Sequence, residues 1–534
     1  MKKSIIILIT TCSFLFSERG DLISSELISS KNQNENQEYV YTELPEELNL
    51  DPVNYGYTLY KIIYETIDVN GNSHEASGSL AFPRVDYPYT PSESFPVLSY
   101  QHGTAVEKSS VTSQQGIWIL PAFLAGSGYV YIEPDYLGLG ESEGMHPYQI
   151  KEPYGYSIID FIRAVKEFDL ENNDFSINEQ LFLAGYSEGG YATMALHQII
   201  ERDYSDEFSI TASFPSAGAY NMSGIMVDLM FTYEEYGEPF YFPYVLFSYL
   251  DSYPSIGTVE EYILPEYLFL EDMFDGNHSA AQINAATPSI PITIMIPEEI
   301  QSFEDEDNHP LKIALRENDL LDWTPQSPMY IFHGIADELV PYENSQLAYD
   351  SFVANGAENV TIELIPSTFG GHQDVAPFAL LASYNFAEQY KEIICFSEYD
   401  CNNQCGGFAM IDECGVCSGG NTGTEYNQFL DCEGVCYGGL VYDECGVCDG
   451  SGIQPDQCDC SGNTLDLCGV CGGDSSLCDI LGDVNLDNAI NVLDIVEVIN
   501  LIFNNIFNAM ADVNQDNNIN IYDLVLLIEI ILGN

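Results

Sequence analysis

The sequence predicts a layered α/β fold with a mostly parallel sheet, followed by a cysteine-rich repeat region and a small all-helical module. Three observations predict this order. Short apolar runs typical of strands alternate with stretches of helical periodicity between residues 55 and 394, a pattern characteristic of α/β proteins. Cysteines crowd the next part of the chain, and residues 480–534 contain two similar acidic segments that each lead into an apolar helix.

The first elements form a predicted β-hairpin. Residues 55–68 and 76–82 alternate apolar and polar side chains around Asn70-Gly71, a dipeptide typical of tight turns. Further strands are predicted at 96–100, 129–132, 181–184, 210–214, 329–332 and 360–365, and helices at 158–168, 191–201, 343–354 and 374–394. Strands that alternate with helices in this way favour parallel pairing.

The composition excludes some classes of protein. Of 534 residues, 46% are hydrophobic and 18% are charged, so the chain has enough apolar material for a large core and is not disordered throughout. Lys and Arg number 14 against 83 Asp and Glu, which gives a net charge of −69. So few cations argue against nucleic-acid binding, and an anionic membrane surface would repel this chain.

The N-terminus has the pattern of an export signal. Two lysines precede an apolar stretch that reaches only Phe16, too short to span a membrane. We predict a signal peptide over residues 1–17 and a secreted or cell-surface protein. Cys12 follows residues that imperfectly match a lipoprotein cleavage box, so it is either lipidated, which would anchor the chain to a membrane, or lost with the signal. Residues 18–48 are polar, and we predict a flexible linker there.

The cysteines other than Cys12 all lie between Cys395 and Cys478, and a clustered set in an exported chain is typical of disulfides. Their C-x-x-C spacing also suits zinc, but no histidine follows His372, which favours disulfides. Because few apolar residues separate the cysteines, we predict a disulfide-stabilised spacer over residues 397–479; a ligand-binding module is the alternative. The repeated unit, Asp-x-Cys-Gly-Val-Cys, occurs at 412–417, 443–448 and 466–471, with a looser copy at 432–436.

One pentapeptide predicts a catalytic nucleophile. Residues 185–189 read Gly-Tyr-Ser-Glu-Gly, a G-x-S-x-G motif between a short apolar strand and a helix. In that context Ser187 stands at the apex of a sharp turn. The helix N-terminus beneath it favours developing negative charge.

A serine hydroxyl needs a neighbouring base. His372 follows the last predicted strand, where a loop can return to the site, and Asp337 lies on the loop after strand 329–332. We predict that Asp337 orients His372 and that His372 activates Ser187, an order along the chain that suits this architecture.

Two further loops are predicted to lie near the nucleophile. An amide at Gly103 or Thr104, together with that of Glu188, is predicted to form the oxyanion hole. Asp135 follows the next strand, and we interpret it as a turn residue, with a bracing role for the site as the alternative.

A long connection separates the strands at 210–214 and 329–332 and is crowded with aromatic residues. We predict that residues from about 222 to 325 form a helical cap whose aromatics line an apolar substrate pocket. The alternative is a helical subdomain with a small core of its own.

Four motifs follow predicted strands of this region. They are Gln101-His102-Gly103-Thr104, Pro134-Asp135-Tyr136-Leu137-Gly138, Gly185-Tyr186-Ser187-Glu188-Gly189-Gly190 and His333-Gly334-Ile335-Ala336-Asp337. Through these motifs, residues 50–395 resemble the α/β-hydrolase superfamily, most closely its secretory-lipase-like branch. The resemblance implies hydrolysis of esters with apolar or acyl groups through an acyl-enzyme, with Ser187 attacking, His372 transferring protons, Asp337 holding the imidazole, and no metal in the active site. The predicted hydrolase domain spans residues 49–396.

The two acidic segments of residues 480–534 predict two calcium loops. Oxygen side chains fall at loop positions 1, 3, 5, 9 and 12, and position 7 supplies a backbone carbonyl, which is a ligand pattern that suits Ca²⁺. Turns without metal are the alternative. The predicted ligands are Asp483, Asn485, Asp487, Ala489, Asn491 and Asp494 in the first loop, and Asp512, Asn514, Asp516, Asn518, Asn520 and Asp523 in the second.

The paired loops resemble a type I dockerin, which implies a cohesin partner on another chain. Two features depart from that pattern. Position 6 is Asn488 and Asn517 where Gly is usual, and positions 10 and 11 are apolar or aromatic, at 492–493 and 521–522, rather than a hydroxyl pair.

The sequence therefore predicts a secreted serine hydrolase of carboxylic esters, tethered by a calcium-dependent module. Alternatives are an esterase for acetyl or feruloyl groups on polysaccharides, a serine peptidase, and a non-catalytic scaffold or adhesion protein.

Overall fold

The computed structural model of the chain describes residues 18–44, 50, 52–85, 93–116, 118–172, 175–466, 469–474 and 480–533. The chain divides into two units, with the boundary between Glu398 and Tyr399. The predicted signal peptide with Cys12, and also Cys468 and Cys478, lie outside the described residues. No helix in the described ranges combines the length and the apolar character needed to cross a membrane.

The described residues form twelve strands. They are β1 (Leu22–Lys31), β2 (Gly56–Ile67), β3 (Ser73–Arg84), β4 (Glu93–Gln101), β5 (Val130–Pro134), β6 (Ile177–Tyr186), β7 (Ile210–Ser216), β8 (Met329–Gly334), β9 (Val360–Ile365), β10 (Ile394–Cys395), β11 (Met410–Ile411) and β12 (Cys417–Ser418).

Helices precede, separate and follow these strands. They are α1 (Gln33–Glu43), α2 (Thr112–Gln115), α3 (Ile119–Gly126), α4 (Lys151–Asn172), α5 (Glu188–Asp203), α6 (Ile225–Met230), α7 (Tyr241–Ser252), α8 (Val259–Tyr262), α9 (Ala280–Ala286), α10 (Pro297–Asp305), α11 (Pro310–Glu317), α12 (Glu343–Ala354), α13 (His372–Ala387), α14 (Val492–Asn504) and α15 (Ile521–Leu532). Short 3-10 segments lie at Lys108–Ser110, Pro265–Phe274, Pro291–Ile294 and Ser367–Phe369.

A mixed sheet organises the first unit. Among the described residues it has ten strands in the order β1-β2-β3-β5-β4-β6-β7-β8-β9, with β10 added against β4. Strands β5, β4, β6, β7, β8 and β9 are parallel, whereas β1, β2, β3 and β10 pair antiparallel with their neighbours. The carboxyl ends of β4, β6, β8 and β9 therefore meet at one edge, where α/β sheets bind ligands. The predicted α/β class is confirmed.

The predicted hairpin is formed by β2 and β3, which pair from Gly56 with Arg84 to Ile67 with Ser73. Its turn contains Gly71 at a φ of 80°, a conformation that glycine adopts without strain. The Asp68 carboxylate accepts the Asn70 amide at 2.8 Å, which closes the turn.

Each face of the sheet carries its own hydrophobic core. On one face α4 and α5 pack through side chains such as Phe161 and Leu196. On the other face α1, α3 and α13 pack through Val40, Phe123 and Val375. This three-layer arrangement holds the sheet rigid at the edge where the motif residues lie.

The predicted linker over residues 18–48 is wrong from Leu22 to Glu43. Strand β1 pairs with β2, and α1 packs on the sheet, where the buried Asn36 side chain donates to the Ala122 carbonyl at 3.0 Å. The sequence does not reveal this strand because β1 lies at the edge of the sheet with most of its side chains exposed, so it lacks the apolar alternation of a half-buried strand.

Helices α6 to α11 fill the connection between β7 and β8. Several predicted cap aromatics, including Phe247 and Tyr249, are buried in the core that this segment shares with the sheet. Phe231 stacks on Phe303 at a ring separation of 4.0 Å, and Tyr233 is exposed.

In the second unit, disulfides connect successive repeats and confirm the disulfide prediction. The two cysteines of a C-x-x-C pair do not bond to each other: Cys417 bonds backwards to Cys401, and Cys414 bonds forwards to Cys436. The next bonds are Cys432–Cys448, Cys445–Cys460 and Cys458–Cys471. Because these cysteines are consumed in disulfides, they are not available to zinc.

A hydrogen-bond pattern that was not predicted also recurs within the repeats. The Asp412 carboxylate accepts the amides of Cys414 and Val416, both at 2.9 Å, and Asp443 does the same two repeats later. An aspartate that bonds to its own following backbone stabilises a tight turn. The aspartate therefore shapes the loop that positions the cysteines.

Helices α14 and α15 pack together over a very small core. Its fully buried hydrophobic members among the described residues are Val498, Ala511 and Leu527. So small a core gives little stability by itself.

Candidate active site

Ser187 occupies a strained turn between β6 and α5. Its φ is 63° and its ψ is −124°, a conformation that non-glycine residues rarely adopt. The turn is tight because glycine flanks it: a Cβ on Gly185 would lie 2.3 Å from the Gly189 carbonyl oxygen, and one on Gly189 would lie 1.9 Å from the Gln101 oxygen. The surrounding backbone therefore holds the hydroxyl out at the edge of the sheet.

The three residues predicted as a triad lie in hydrogen-bond contact. His372 Nδ1 is 2.5 Å from Asp337 Oδ2, and His372 Nε2 is 2.8 Å from Ser187 Oγ. A carboxylate only accepts, so Nδ1 carries the proton, and Nε2 accepts the serine hydroxyl. This arrangement can pass a proton from the hydroxyl to the ring.

The Asp337 carboxylate is held from several sides. Its Oδ1 accepts the amides of Leu339 and Val340 at 3.0 and 2.8 Å. Its Oδ2 also lies 3.2 Å from His333 Nε2. Burial alone would raise the pKa of Asp337, but the hydrogen bonds from His333 and His372 outweigh it and lower the pKa below its ordinary value. Asp337 therefore remains ionised and able to stabilise a protonated His372.

His372 is fixed by its backbone as well as by its ring. It begins α13, where its amide donates to Glu338 Oε2 at 3.0 Å. The Tyr186 hydroxyl donates to its carbonyl at 2.7 Å. Because Tyr186 directly precedes Ser187, the same strand end positions both the hydroxyl and the ring that faces it.

The predicted oxyanion residues lie at adjoining ends of β4 and β6. The close approach of Gln101 to Gly189 brings the Gly103-Thr104 loop against the start of α5, and the Glu188 amide lies at that helix N-terminus. The Thr104 hydroxyl is 3.0 Å from the Tyr148 hydroxyl.

A cavity opens at Ser187, and both Ser187 and Glu188 line it. Helices α6 and α7 contribute much of its wall, and Tyr236, Tyr241 and Phe242 are the predicted cap aromatics that line it. Methionines contribute a flexible apolar surface that was not predicted. The main apolar lining residues are Met222, Met226, Met230, Val245, Leu339 and Val340.

Asp135, interpreted from the sequence as a turn residue, is fully buried in the structure. Its Oδ2 accepts the hydroxyls of Ser77 and Ser113, both at 2.5 Å. Burial raises the pKa of Asp135 to about 6, although these two hydrogen bonds oppose the shift. The turn interpretation is wrong, because the carboxylate joins β3 and α2 behind the site.

Asp135 is expected to make the stability of the first unit depend on pH. Because its folded-state pKa is raised, its contribution is fully present below about pH 4 and is lost as the pH rises through about 6. Asp135→Asn removes that dependence. The difference in melting temperature, variant minus wild type, is expected to increase between about pH 4.5 and about pH 7.5. This increase corresponds to at most about 3 kcal/mol in the free energy of unfolding. A difference that stays constant with pH, as for the exposed Asp206→Asn, would contradict the prediction.

The first predicted calcium loop folds around its own oxygen atoms. Asp483 accepts the Asp487 amide at 3.1 Å, and Asp494 accepts the Asn491 amide at 2.8 Å. The Asn485 side chain donates to Asp487 at 3.1 Å, and the Asn491 side chain donates to the Ala489 carbonyl at 3.0 Å.

The second loop repeats this arrangement. Asp512 accepts the Asp516 amide at 2.9 Å, and Asp523 accepts the Asn520 amide at the same distance. The Asn514 side chain donates to Asp516 at 3.1 Å, and the Asn520 side chain lies 3.5 Å from the Asn518 carbonyl.

Position 6 of the loops, Asn488 and Asn517, has a φ of 65° in both copies. Asparagine tolerates this left-handed conformation, so the turn forms with asparagine in place of the usual glycine.

The donor set of these loops fits a divalent cation. Asp483, Asp494, Asp512 and Asp523 are buried, and no Lys or Arg follows Lys391 in the chain. A cation would offset their mutual repulsion, and carboxylate, amide and carbonyl oxygens are the ligands that Ca²⁺ prefers. Within the described ranges, no group of three or more His, Cys, Asp or Glu side chains is clustered as a metal site.

Two protein families match parts of the chain. Residues 282–380 match the Secretory lipase family, and residues 481–532 match the Dockerin type I domain. No curated protein matches the chain in sequence.

Several solved structures share the fold of the first unit. A Legionella pneumophila protein described as a hydrolase is 28% identical over 69% of this chain and 98% of its own, with a TM-score of 0.62. The rice cell wall degrading esterase LipA from Xanthomonas oryzae is 25% identical over 69% of this chain and 96% of its own, with a TM-score of 0.59. Candida antarctica lipase A, at 18% identity, covers 71% of this chain and 85% of its own with a TM-score of 0.52, and is similar in fold.

These matches confirm the resemblances drawn from the sequence motifs. The chain combines a domain with the α/β-hydrolase fold, which matches the secretory lipases over residues 282–380, with a cysteine-rich disulfide region and a C-terminal segment that matches the type I dockerin domain.

Proposed function

We propose that this protein is a secreted serine hydrolase that cleaves carboxylic esters and is tethered by its dockerin domain. The hydrogen-bonded series Asp337, His372 and Ser187 carries the proposal. The similarity to secretory lipases and to an esterase supports the same reaction.

In the proposed mechanism, Ser187 Oγ attacks the ester carbonyl carbon while its proton moves to His372 Nε2. The amides of Glu188 and of Gly103 or Thr104 bind the oxyanion of the tetrahedral intermediate. The proton then passes to the departing alcohol, which leaves an acyl group on Ser187. Water, deprotonated by His372, releases the acid by the reverse sequence. Throughout, ionised Asp337 stabilises the protonated ring.

The cavity favours an apolar acyl group as the substrate portion bound beside Ser187. Its methionine, valine and leucine side chains offer no charge to a polar group, and burial of each CH₂ contributes about 0.8 kcal/mol. A second candidate is an ester on a polysaccharide, such as an acetyl or feruloyl group. The similarity to a rice cell wall degrading esterase favours it.

A chain-length series separates these substrates. With p-nitrophenyl esters, an acyl-binding cavity is expected to raise kcat/KM from acetate to butyrate and beyond, whereas a polysaccharide acetyl esterase is expected to prefer acetate. Peptide amides in place of esters test the peptidase alternative. No hydrolysis of any ester would contradict the proposed function.

A fluorophosphonate probe tests the nucleophile directly. Stoichiometric labelling of the wild type and its loss in Ser187→Ala are expected, because the reagent requires an activated serine. Ser216→Ala, at the end of the neighbouring strand β7, is the matched control and is expected to retain labelling. An unlabelled wild type would favour a non-catalytic scaffold or adhesion role.

The dockerin domain is proposed to bind two Ca²⁺ and to dock to a cohesin-type partner. Supporting this, the side chains at loop positions 10 and 11 are exposed on the first turns of α14 and α15. They are Val492, Leu493, Ile521 and Tyr522. An apolar set of this kind favours a partner with a matching apolar surface.

We propose that the hydrolase domain includes strand β1 and extends to about residue 396, with the cap at about 222–325. The spacer follows over residues 397–479, and the dockerin domain over 480–534. Such a protein is proposed to act outside the cell or at its surface, and lipidation of Cys12 would add a membrane anchor.

A further inference from the structure

The residue that follows the nucleophile has an unusual environment. Glu188 lies at the first position of α5, and its carboxyl group is buried. Its Oε1 accepts the Tyr154 hydroxyl at 2.7 Å and lies 2.8 Å from His146 Nε2. Its Oε2 has no hydrogen-bond partner among the described residues. A buried negative charge here would lie on the same residue as the amide proposed to bind the oxyanion.

The hydrogen bonds of His146 fix the number of protons in this pair. Its Nδ1 is 2.8 Å from the Leu137 carbonyl, which only accepts, so Nδ1 carries a proton. Nε2 and Glu188 Oε1 are in contact, and without a proton between them two lone pairs would face each other. The Tyr154 hydroxyl lies 2.7 Å from Oε1 and 3.1 Å from Nε2, and its single proton can serve only one of these two contacts. One further proton therefore lies between His146 and Glu188, and the pair is neutral as a whole.

No other charged side chain contacts the pair in the described residues. The groups packed around His146 and Glu188 are the tyrosines 136, 148, 154, 241 and 244. Burial, and then the nearby Glu188, raises the pKa of Tyr154 and of Tyr244, so the tyrosines stay uncharged. Among the side chains around it, His146 is therefore the one that can offset the Glu188 charge.

We propose that His146 is a positioning residue for the hydrolase reaction, which shares one buried proton with Glu188 and thereby cancels the carboxylate charge beside the oxyanion amide. The inference rests on the proposed function. A negative charge left on Glu188 would oppose the negative charge that develops in the transition state.

A double-substitution cycle tests this role. His146→Gln keeps a hydrogen-bond donor but supplies no proton to the pair, and we expect kcat for p-nitrophenyl butyrate to fall by roughly 10- to 100-fold with a smaller change in KM. Adding Glu188→Gln removes the charge, and we expect the double variant to regain most of the lost kcat. If His146 had a merely structural role, the kcat of the double variant would be lower than that of either single variant, because the effects of the two substitutions would add.

Binding of phenylboronic acid gives a second readout. It forms an anionic tetrahedral adduct on an activated serine, so its affinity should fall in His146→Gln and recover in the double variant. His197→Gln is the matched control, since His197 is a buried histidine on the same α5 helix that contacts Glu201 at 2.9 Å away from Ser187. We expect that control to retain kcat.

The outcomes separate the two proposals. A double variant as slow as, or slower than, His146→Gln overturns the charge-cancelling role. If the wild type is neither labelled by a fluorophosphonate nor active, the proposed function fails instead. The ¹⁵N signals of His146 in the full chain then still decide the proton count, because a shared proton leaves Nε2 either protonated or accepting a hydrogen bond from Glu188. An Nε2 signal of an unbonded lone pair, unchanged by Glu188→Gln, would overturn the shared proton.

Discussion

Replacing Asp337 with asparagine is expected to lower kcat for ester hydrolysis on the order of 10⁴-fold. The carboxylate accepts the Nδ1 proton of His372 at 2.5 Å, which leaves Nε2 free to receive the serine proton. An asparagine amide group can donate to Nδ1, which favours the tautomer with its proton on Nε2. That ring cannot act as a base toward Ser187, and no negative charge remains to stabilise it when it is protonated. Steady-state kinetics and fluorophosphonate labelling rates both measure the loss.

Asp160→Asn is the matched control for this experiment. Asp160 is as buried as Asp337 but pairs with Arg19, Arg163 and Thr66 rather than with His372. Its substitution is expected to lower the melting temperature while kcat stays within about threefold. A loss of less than about tenfold in Asp337→Asn would show that another group orients His372, with Glu338, which accepts the His372 amide, as the first residue to examine.

Removing Ca²⁺ is expected to unfold the C-terminal helices while the hydrolase unit keeps its activity. The buried aspartates of each loop would then repel one another with no Lys or Arg in this part of the chain to offset them, and the small core beneath α14 and α15, in which only Val498, Ala511 and Leu527 are fully buried among the described residues, cannot compensate. Hydrogen–deuterium exchange on the full chain, with EDTA against about millimolar CaCl₂, is expected to show loss of protection over 492–504 and 521–532 only.

Asp487→Ala with Asp516→Ala is expected to weaken this calcium protection in the same peptides, because both carboxylates occupy predicted ligand positions. Glu497→Gln, an exposed acidic residue of α14 outside the loops, is the control and is expected to exchange as the wild type does. Identical exchange with EDTA and with CaCl₂ would contradict the calcium assignment.

The sequence predicted the parts of this protein whose pattern is local. The β2–β3 hairpin, the parallel strands and the serine turn each follow from residues within about ten positions of one another. Strand β1 was missed because an edge strand is stabilised by its ladder to β2, and its exposed side chains carry no apolar alternation. Helix α1 was missed for a similar reason, since its buried Asn36 reads as polar.

At the candidate active site, the sequence predicted the three reacting residues but not the side chains that hold them in place. The order of Ser187, Asp337 and His372 along the chain suggested how they meet, because the strands that carry them are parallel. By contrast, the bonds of Tyr186 to the His372 carbonyl and of His146 to Glu188 join residues that are far apart in the sequence. No spacing in the sequence encodes such contacts, because they depend on how the loops fold over the sheet edge.

The overlapping disulfides of the second unit have a consequence for proteolysis. Each covalent loop begins before the previous one closes, from Cys401–Cys417 through to Cys458–Cys471. Every peptide bond between Cys401 and Cys471 is therefore bypassed by at least one sulfur bridge. A single nick by an extracellular protease anywhere in that stretch leaves both fragments joined, so the enzyme is not shed from whatever its C-terminal end holds unless two cuts or a reductant release it.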